Sequence, residues 1–434
     1  MNQSLAGMRS AHAPGPAASR PRQPWRALPG IVAALAIAAA PAAAAGLSVA
    51  EASELARQQS PTLRALQASV DGSSAAQPAA AALPDPRLLV GVDNIPVDGP
   101  DRYSLSRDPG TMQRIGVMQE MPNRAKRDAR LQLAQARTER DRLQLAAAEL
   151  VVRRDALRAW VAVYYAQQRL AWLDRLQQEN ALLQQTLPPR IAAGQSPTAE
   201  LTMARQEALA IADRHDELAR DLAKARAALR RLIGVRADDP LSGEPPALAV
   251  DAATVRARLH EHTELAPYGA MLAMGQAELG ESDSETRGDW AWEVVYARRP
   301  NFDDMVSFQL SFDLPLRQSE RQGPQIAARR KELERIEAER EDAARRPAEE
   351  IDMQLAELQA LDAQAARLRD HGLSLADERV ALTLASYQAG RSELAAVLAA
   401  RSSVLELRLR ALALDAERTD LRVRLNTLIA EPTP

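Results

Sequence analysis

The chain has 434 residues, a net charge of −3, no cysteine, and 46% hydrophobic but only 3% aromatic residues. That length suffices for two or three domains, and an apolar share carried mostly by Ala and Leu favours long helices over β-sandwiches. Interspersed charges offer no basic surface for nucleic acid, and the lack of Cys excludes disulfides, thiolate metal sites and a lipid attached through Cys.

Residues 1–45 read as a signal peptide. Arg9, Arg20, Arg22 and Arg26 precede a short apolar run from Ile31 to Ala40, and Ala43-Ala44-Ala45 offers a small-residue cleavage site before Gly46. The run is too short to span a bilayer. After it no apolar run reaches membrane-helix length, which leaves strands as the means of any insertion.

From residue 46 the chain reads as two repeats, 46–245 and 246–434, joined near Pro240, Gly243, Pro245 and Pro246. Gln119-Glu120-Met121-Pro122 matches Phe312-Asp313-Leu314-Pro315 at an offset of 193, and Ala193-Gly194 matches Ala389-Gly390 at 196. Arg231-Leu232-Ile233 matches Thr427-Leu428-Ile429 at 196 as well, and Asn94-Ile95-Pro96 matches Arg298-Arg299-Pro300 at 204. The first repeat predicts a helix over 47–80, strands at 86–96 and 111–121, a very long helix over 123–187, a tight turn near Gly194 and a return helix over 197–233. The second predicts a helix over 251–286, strands at 290–298 and 305–315, a long helix over 323–388, a turn near Gly390 and a return helix over 391–430. A helix over 123–187 is roughly 100 Å long, more than an ordinary globular domain houses.

The return helices carry heptads. Leu201, Ala204, Ala208, Ile211, His215, Leu218, Leu222, Ala225, Leu229 and Leu232 recur at three- and four-residue steps. So do Val397, Ala400, Val404, Leu407, Ala411, Leu414, Arg418, Leu421, Leu425 and Leu428. That spacing is the coiled-coil pattern, and His215 and Arg418 are polar intrusions in the seam with a register or solvated-edge role rather than a chemical one.

The strands alternate. Val306, Phe308, Leu310, Phe312 and Leu314 form one face of the fourth, and Trp290, Trp292, Val294 and Tyr296 one face of the third. Leu88, Val90 and Val92 continue the theme, while Gln113 and Gln119 interrupt it on the second strand. A soluble sheet on a core would alternate in the same way. The export signal and the long helices favour transmembrane strands whose apolar face meets lipid, with Glu120 and Asp313 on the lumen side. Four strands cannot close a barrel, and an open edge cannot sit in lipid, so several chains must share one barrel of eight or twelve strands.

These segments resemble the TolC-like outer-membrane efflux factors over essentially the whole mature chain. The resemblance is carried by Leu83-Pro84-Asp85-Pro86, Gln119 to Arg127, Arg190-Ile191-Ala192-Ala193-Gly194, Tyr387-Gln388-Ala389-Gly390 and Leu310 to Leu316. It implies a homotrimer with a twelve-stranded barrel and a long periplasmic helical tunnel, docked to a periplasmic membrane-fusion adaptor and an inner-membrane RND-type pump. Adaptor docking falls on the tips, at Arg190, Ala193, Gly194, Tyr387, Ala389 and Gly390. The Pro-Asp-Pro stretch and Asn94-Ile95-Pro96 are most similar to the heavy-metal branch. Drug or protein export by the same family is the alternative, and a periplasmic coiled-coil adaptor or scaffold the alternative of another class.

Two departures from the family pattern stand out. Pro188-Pro189 precedes the first turn, where the second repeat has Leu384-Ala385, so proline should break the helix and the two tips should differ. Family channels often carry carboxylates six and nine residues after the second-turn glycine. Here those positions are Ala396 and Ala399, and the first repeat has Glu200 and Met203.

No residue constellation indicates enzyme chemistry or a cofactor. His260 and His262 are two apart on an expected helix and point to different sides. Met271 and Met274 share a helix face as core residues rather than as Cu(I) ligands.

Overall fold

The computed structural model describes residues 46–258 and 265–427. The expected signal peptide, His260, His262, Leu428 and Ile429 lie outside them. The chain folds into α1 (Val49–Gln59), α2 (Pro61–Ala81), β1 (Arg87–Asp93), β2 (Met112–Met121), α3 (Arg124–Ala192) and α4 (Thr198–Ile233). The second repeat supplies α5 (Ala252–Ala257), α6 (Ala266–Ser284), β3 (Trp290–Arg298), β4 (Met305–Phe312), α7 (Gln322–Arg367), α8 (Leu373–Gln388) and α9 (Leu394–Thr427). α3, with 69 residues, is roughly 100 Å long. Among the described residues no helix is long and apolar enough to cross a membrane.

Four expectations are corrected. The helix expected over 47–80 is two helices: Pro61 occupies the first turn of α2, where its missing N–H costs nothing, and Ser60 Oγ accepts from the Leu63 N–H at 3.3 Å. The helix expected over 251–286 is the separate α5 and α6, with Asp251 capping the first. The helix expected over 323–388 carries a π-helical turn at Leu368–Gly372, where the Leu373 N–H reaches back to the Leu368 carbonyl. Glycine fits that turn, because a Cβ on Gly372 would lie 2.9 Å from Leu368 Cδ1. The helix expected to break at Pro188-Pro189 instead runs through both prolines to Ala192. Only the two proline N–H groups are lost there, and fully buried Leu187 and partly buried Ile191 hold that last turn in a core with Ala204, Leu394 and Val397.

The four strands form one antiparallel sheet in the order β1-β2-β3-β4, so β2 and β3 join the two repeats and β1 and β4 are edges. The helices form a single layer in the same sense. Next to the sheet the neighbours run α2-α3-α6-α7, and toward the turns they run α4-α3-α9-α8. One margin of the protein is therefore first-repeat throughout (β1, α2, α4) and the other second-repeat throughout (β4, α7, α8).

The deepest packing lies within the first repeat, where α1, α3 and α4 meet. Trp160 of α3 is fully buried, its indole N–H donates to the Leu47 carbonyl at 2.9 Å, and it stacks on Tyr164. Leu47 is pinned further by a parallel bridge to Leu241. Arg158 crosses to Asp420 of α9 at 2.5 Å, and both side chains are half-buried. The heptad intrusions are absorbed as pairings. Arg418 reaches Asp362 at 2.5 Å and Asp415 at 3.1 Å, while His215 Nε2 stands 3.4 Å from Asp174. Met271 and Met274 are half-buried in α6, and no group of metal-ligating side chains occurs among the described residues.

Candidate functional site

Two regions combine exposure with a built geometry. The first is the sheet. Register places Leu88, Val117, Val294 and Phe308 in one row, and Val90, Ile115, Tyr296 and Val306 in the next. Toward the helices the same face carries Gln119, Trp292 and Leu310, then Met121, Trp290 and Phe312. This face is apolar across all four strands except at Gln113, Gln119 and Arg298, and is largely exposed: Val90 and Val306 are each 73% accessible. Val92 continues it at the outer end, opposite Gln113. Gln119 is tolerated because its amide folds back to the Pro84 carbonyl at 2.7 Å.

The opposite face is mostly small or polar, with Leu89, Met112, Met118 and Met305 as its larger apolar members. Ala291, Glu293, Val295 and Ala297 of β3 stand opposite Ser311, Gln309, Ser307 and Met305 of β4. Glu120 lies on this face and pairs with Arg87 at 2.8 Å. Asp313 does not lie in a strand: β4 ends at Phe312, and Asp313 follows it with its N–H bonded to the Asp289 carbonyl at 2.8 Å. The backbones approach so closely there that a Cβ on Gly288 would meet the Asp313 carbonyl oxygen at 1.8 Å.

Asp289 fastens the sheet to the helices. It accepts from the Asn123 N–H at 2.8 Å and from Lys126 Nζ at 3.1 Å, while the Asn123 amide donates to the Ser284 and Arg287 carbonyls. Burial pushes the Asp289 carboxyl up, but the hydrogen bonds from Asn123 and Lys126 outweigh it and leave the group below the usual carboxylate range.

The second region is the pair of turns. Ala193 N–H bonds Pro189 O, Gly194 N–H bonds Ile191 O, and Gln195 N–H bonds Arg190 O. The same three bonds recur 196 residues on, from Ala389 to Ala385, Gly390 to Tyr387 and Arg391 to Ser386. Gly194 has φ 68° and Gly390 φ 70°. The expected difference in tip shape is thus absent, because the prolines sit before the capping turn and not in it.

The tips also touch each other. The Tyr387 hydroxyl donates to Glu200 Oε2 at 2.7 Å, and the Arg190 guanidinium lies 5.3 Å from the Tyr387 ring centroid. Burial pushes the Tyr387 phenol up, and the Glu200 carboxylate holds it there. Glu200 is itself buried, whereas Ala396 and Ala399 are exposed. Ala193 and Ala389 are exposed as well. The sequence gives Tyr387 as a tip residue but carries no signal that Glu200, on the other repeat, receives it.

Open space surrounds both glycines, so a substitution there is strained through the backbone alone. Gly194→Val and Gly390→Val should each lower stability by about 1–3 kcal/mol and to a similar extent, with Asn tolerated better than Val. Thermal unfolding of the two variants checks this. A cost at Gly390 with none at Gly194 would contradict the equivalence of the turns.

Comparison with solved structures shows the same architecture. The chain superposes on CusC with a TM-score of 0.71 at 15% identity, over 88% of this chain and 92% of that one. It superposes on the outer-membrane protein VceC of Vibrio cholerae at 0.70 and 17%, over 88% and 95% of the two chains. For the open state of the MtrE outer-membrane channel of Neisseria gonorrhoeae the values are 0.68 and 15%, over 88% of each chain. The chain has the fold of these outer-membrane proteins. No family model matches the sequence, and no curated protein matches it.

Proposed function

We propose that the chain is a subunit of a TolC-like outer-membrane efflux channel, in which three copies share a twelve-stranded barrel and the helices form a periplasmic tunnel. The observation that carries this reading is the sheet: one face is predominantly apolar over all four strands, and among the described residues neither edge strand has a further strand beside it. An exposed apolar sheet face suits lipid, and lipid demands that β1 of one copy pair with β4 of the next. The helical layer supports the same assembly, since its margins also belong to different repeats. Exposed Leu209 on α4 and exposed Leu375 and Leu382 on α8 are apolar side chains that a neighbouring copy would cover. Such head-to-tail contacts close into a ring.

In this reading Leu88, Val90, Val92, Trp290, Trp292, Tyr296, Phe308, Leu310 and Phe312 face lipid, and Glu120 and Asp313 face the lumen. The tips, at Arg190, Ala193, Gly194, Tyr387, Ala389 and Gly390, dock a periplasmic adaptor, which couples the channel to an inner-membrane pump of the RND type. The channel conducts passively and uses no cofactor; its work is done by pore shape and charge. The Pro84-Asp85-Pro86 and Asn94-Ile95-Pro96 segments support heavy-metal cations as substrate.

Growth measurements test the function. In a strain lacking redundant channels, deletion should sensitise cells to a divalent transition metal, copper or silver. Unchanged metal tolerance with lost drug tolerance would assign drug export instead, and unchanged tolerance to both would contradict efflux.

A further inference from the structure

We propose that Glu293 gives the pore through the sheet its preference for cations. The inference rests on the channel reading above and names the residue of that pore that discriminates by charge.

Five charged side chains lie within the strands on the face opposite the apolar one: Arg87, Asp93, Arg114, Glu120 and Glu293. Four of them cancel in cross-strand pairs. Arg87 meets Glu120 at 2.8 Å and Arg114 meets Asp93 at 3.1 Å, both between β1 and β2. The Arg114 stem passes over Gly91, where the missing side chain leaves room for it. Among the described residues Glu293 has no such partner. It stands across from Met118 on β2 and Gln309 on β4, with Ala291 and Val295 beside it on its own face of β3. The polar face of each copy therefore presents one uncompensated negative charge within the ladder.

A paired charge and its partner act on a passing ion as a short dipole, whereas an unpaired charge acts over the full Debye length, about 10 Å at 0.1 M salt and about 30 Å at 0.01 M. Three copies of Glu293 form a ring at one height of the barrel, since register fixes that height in every copy. The tips do not compete for this role through the positions considered above. Ala396 and Ala399 are neutral, and Glu200 is buried against Tyr387. Selectivity should thus be strongest in dilute salt and fade as salt rises.

The test is the reversal potential of the reconstituted full-length channel in a planar bilayer, under a potassium chloride gradient from about 0.01 M to about 0.1 M. The native channel should prefer potassium. Glu293→Gln should move the reversal potential toward zero, Glu293→Lys should carry it to the anion side, and Glu293→Asp should retain the native value. A conducting Glu293→Gln channel with the native reversal potential overturns this inference alone. A native protein that never conducts overturns the channel reading, and the inference with it.

Discussion

Phe308→Arg should abolish recovery of assembled protein from the outer membrane, whereas Ser307→Arg, one residue away, should leave it intact. Phe308 lies in the row with Val294, Val117 and Leu88, midway along the apolar face. In the proposed barrel an arginine there would sit near the bilayer midplane, at a cost of about 2–4 kcal/mol in each copy that the shared barrel multiplies by its copies. Ser307 opposes Val295 on the other face, between Met305 and Gln309 on its own strand, and is exposed, so water can solvate a guanidinium there. The measurement is the amount of heat-modifiable oligomer in the outer-membrane fraction. Equal recovery of both variants would mean that the apolar face does not meet lipid.

Trp160→Ala should destabilise the chain by about 3–5 kcal/mol, the largest effect expected of any single truncation. The indole is completely buried among Ala52, Ala56, Val163, Leu229 and Ile233, and it stacks on Tyr164 with ring centroids 5.6 Å apart. Its N–H also ties α3 to Leu47, at the start of the described chain. The Leu47 carbonyl keeps a second donor in the Ser242 N–H, so the loss is mostly packing. Trp160→Phe should recover part of it. Calorimetry of the detergent-solubilised protein reads the difference, and a melting temperature within a degree or two of the native one would show that this cluster is not the structural hub.

What the sequence makes legible is governed by how local each signal is. The third strand is bounded in the sequence where it is bounded in the structure, because alternation of Trp290, Trp292, Val294 and Tyr296 with smaller residues has a single period and ends at Pro300. Gly194 and Gly390 announce the turns, since a left-handed cap selects glycine. Pro188-Pro189 misleads for the converse reason. Its local preference to break a helix is weaker than the tertiary packing of Leu187 and Ile191, which keeps α3 helical to Ala192. The π-helical turn at Leu368–Gly372 leaves no trace in composition, as one added residue in a turn changes no residue type. The Tyr387–Glu200 contact joins residues 187 apart and so belongs to the fold alone. The single-layer arrangement, with its margins divided between repeats, is likewise a property of packing order that no periodicity encodes.

In the proposed channel β1 of one copy pairs with β4 of the next and the ring closes at three. The chain contains no cysteine, so introduced thiols have no competitors. Within one chain β1 and β4 are separated by β2 and β3, about 14 Å at the usual strand spacing. A disulfide needs Cα atoms within about 7 Å, so such a pair cannot bridge inside a single chain. Leu89→Cys combined with cysteine at successive positions along β4, from Ser307 to Ser311, should therefore give only intermolecular bonds in intact outer membranes. At least one pair should yield bands of one, two and three chains on a denaturing gel and nothing larger. No crosslink from any pair, or a ladder that continues beyond three chains, would contradict it.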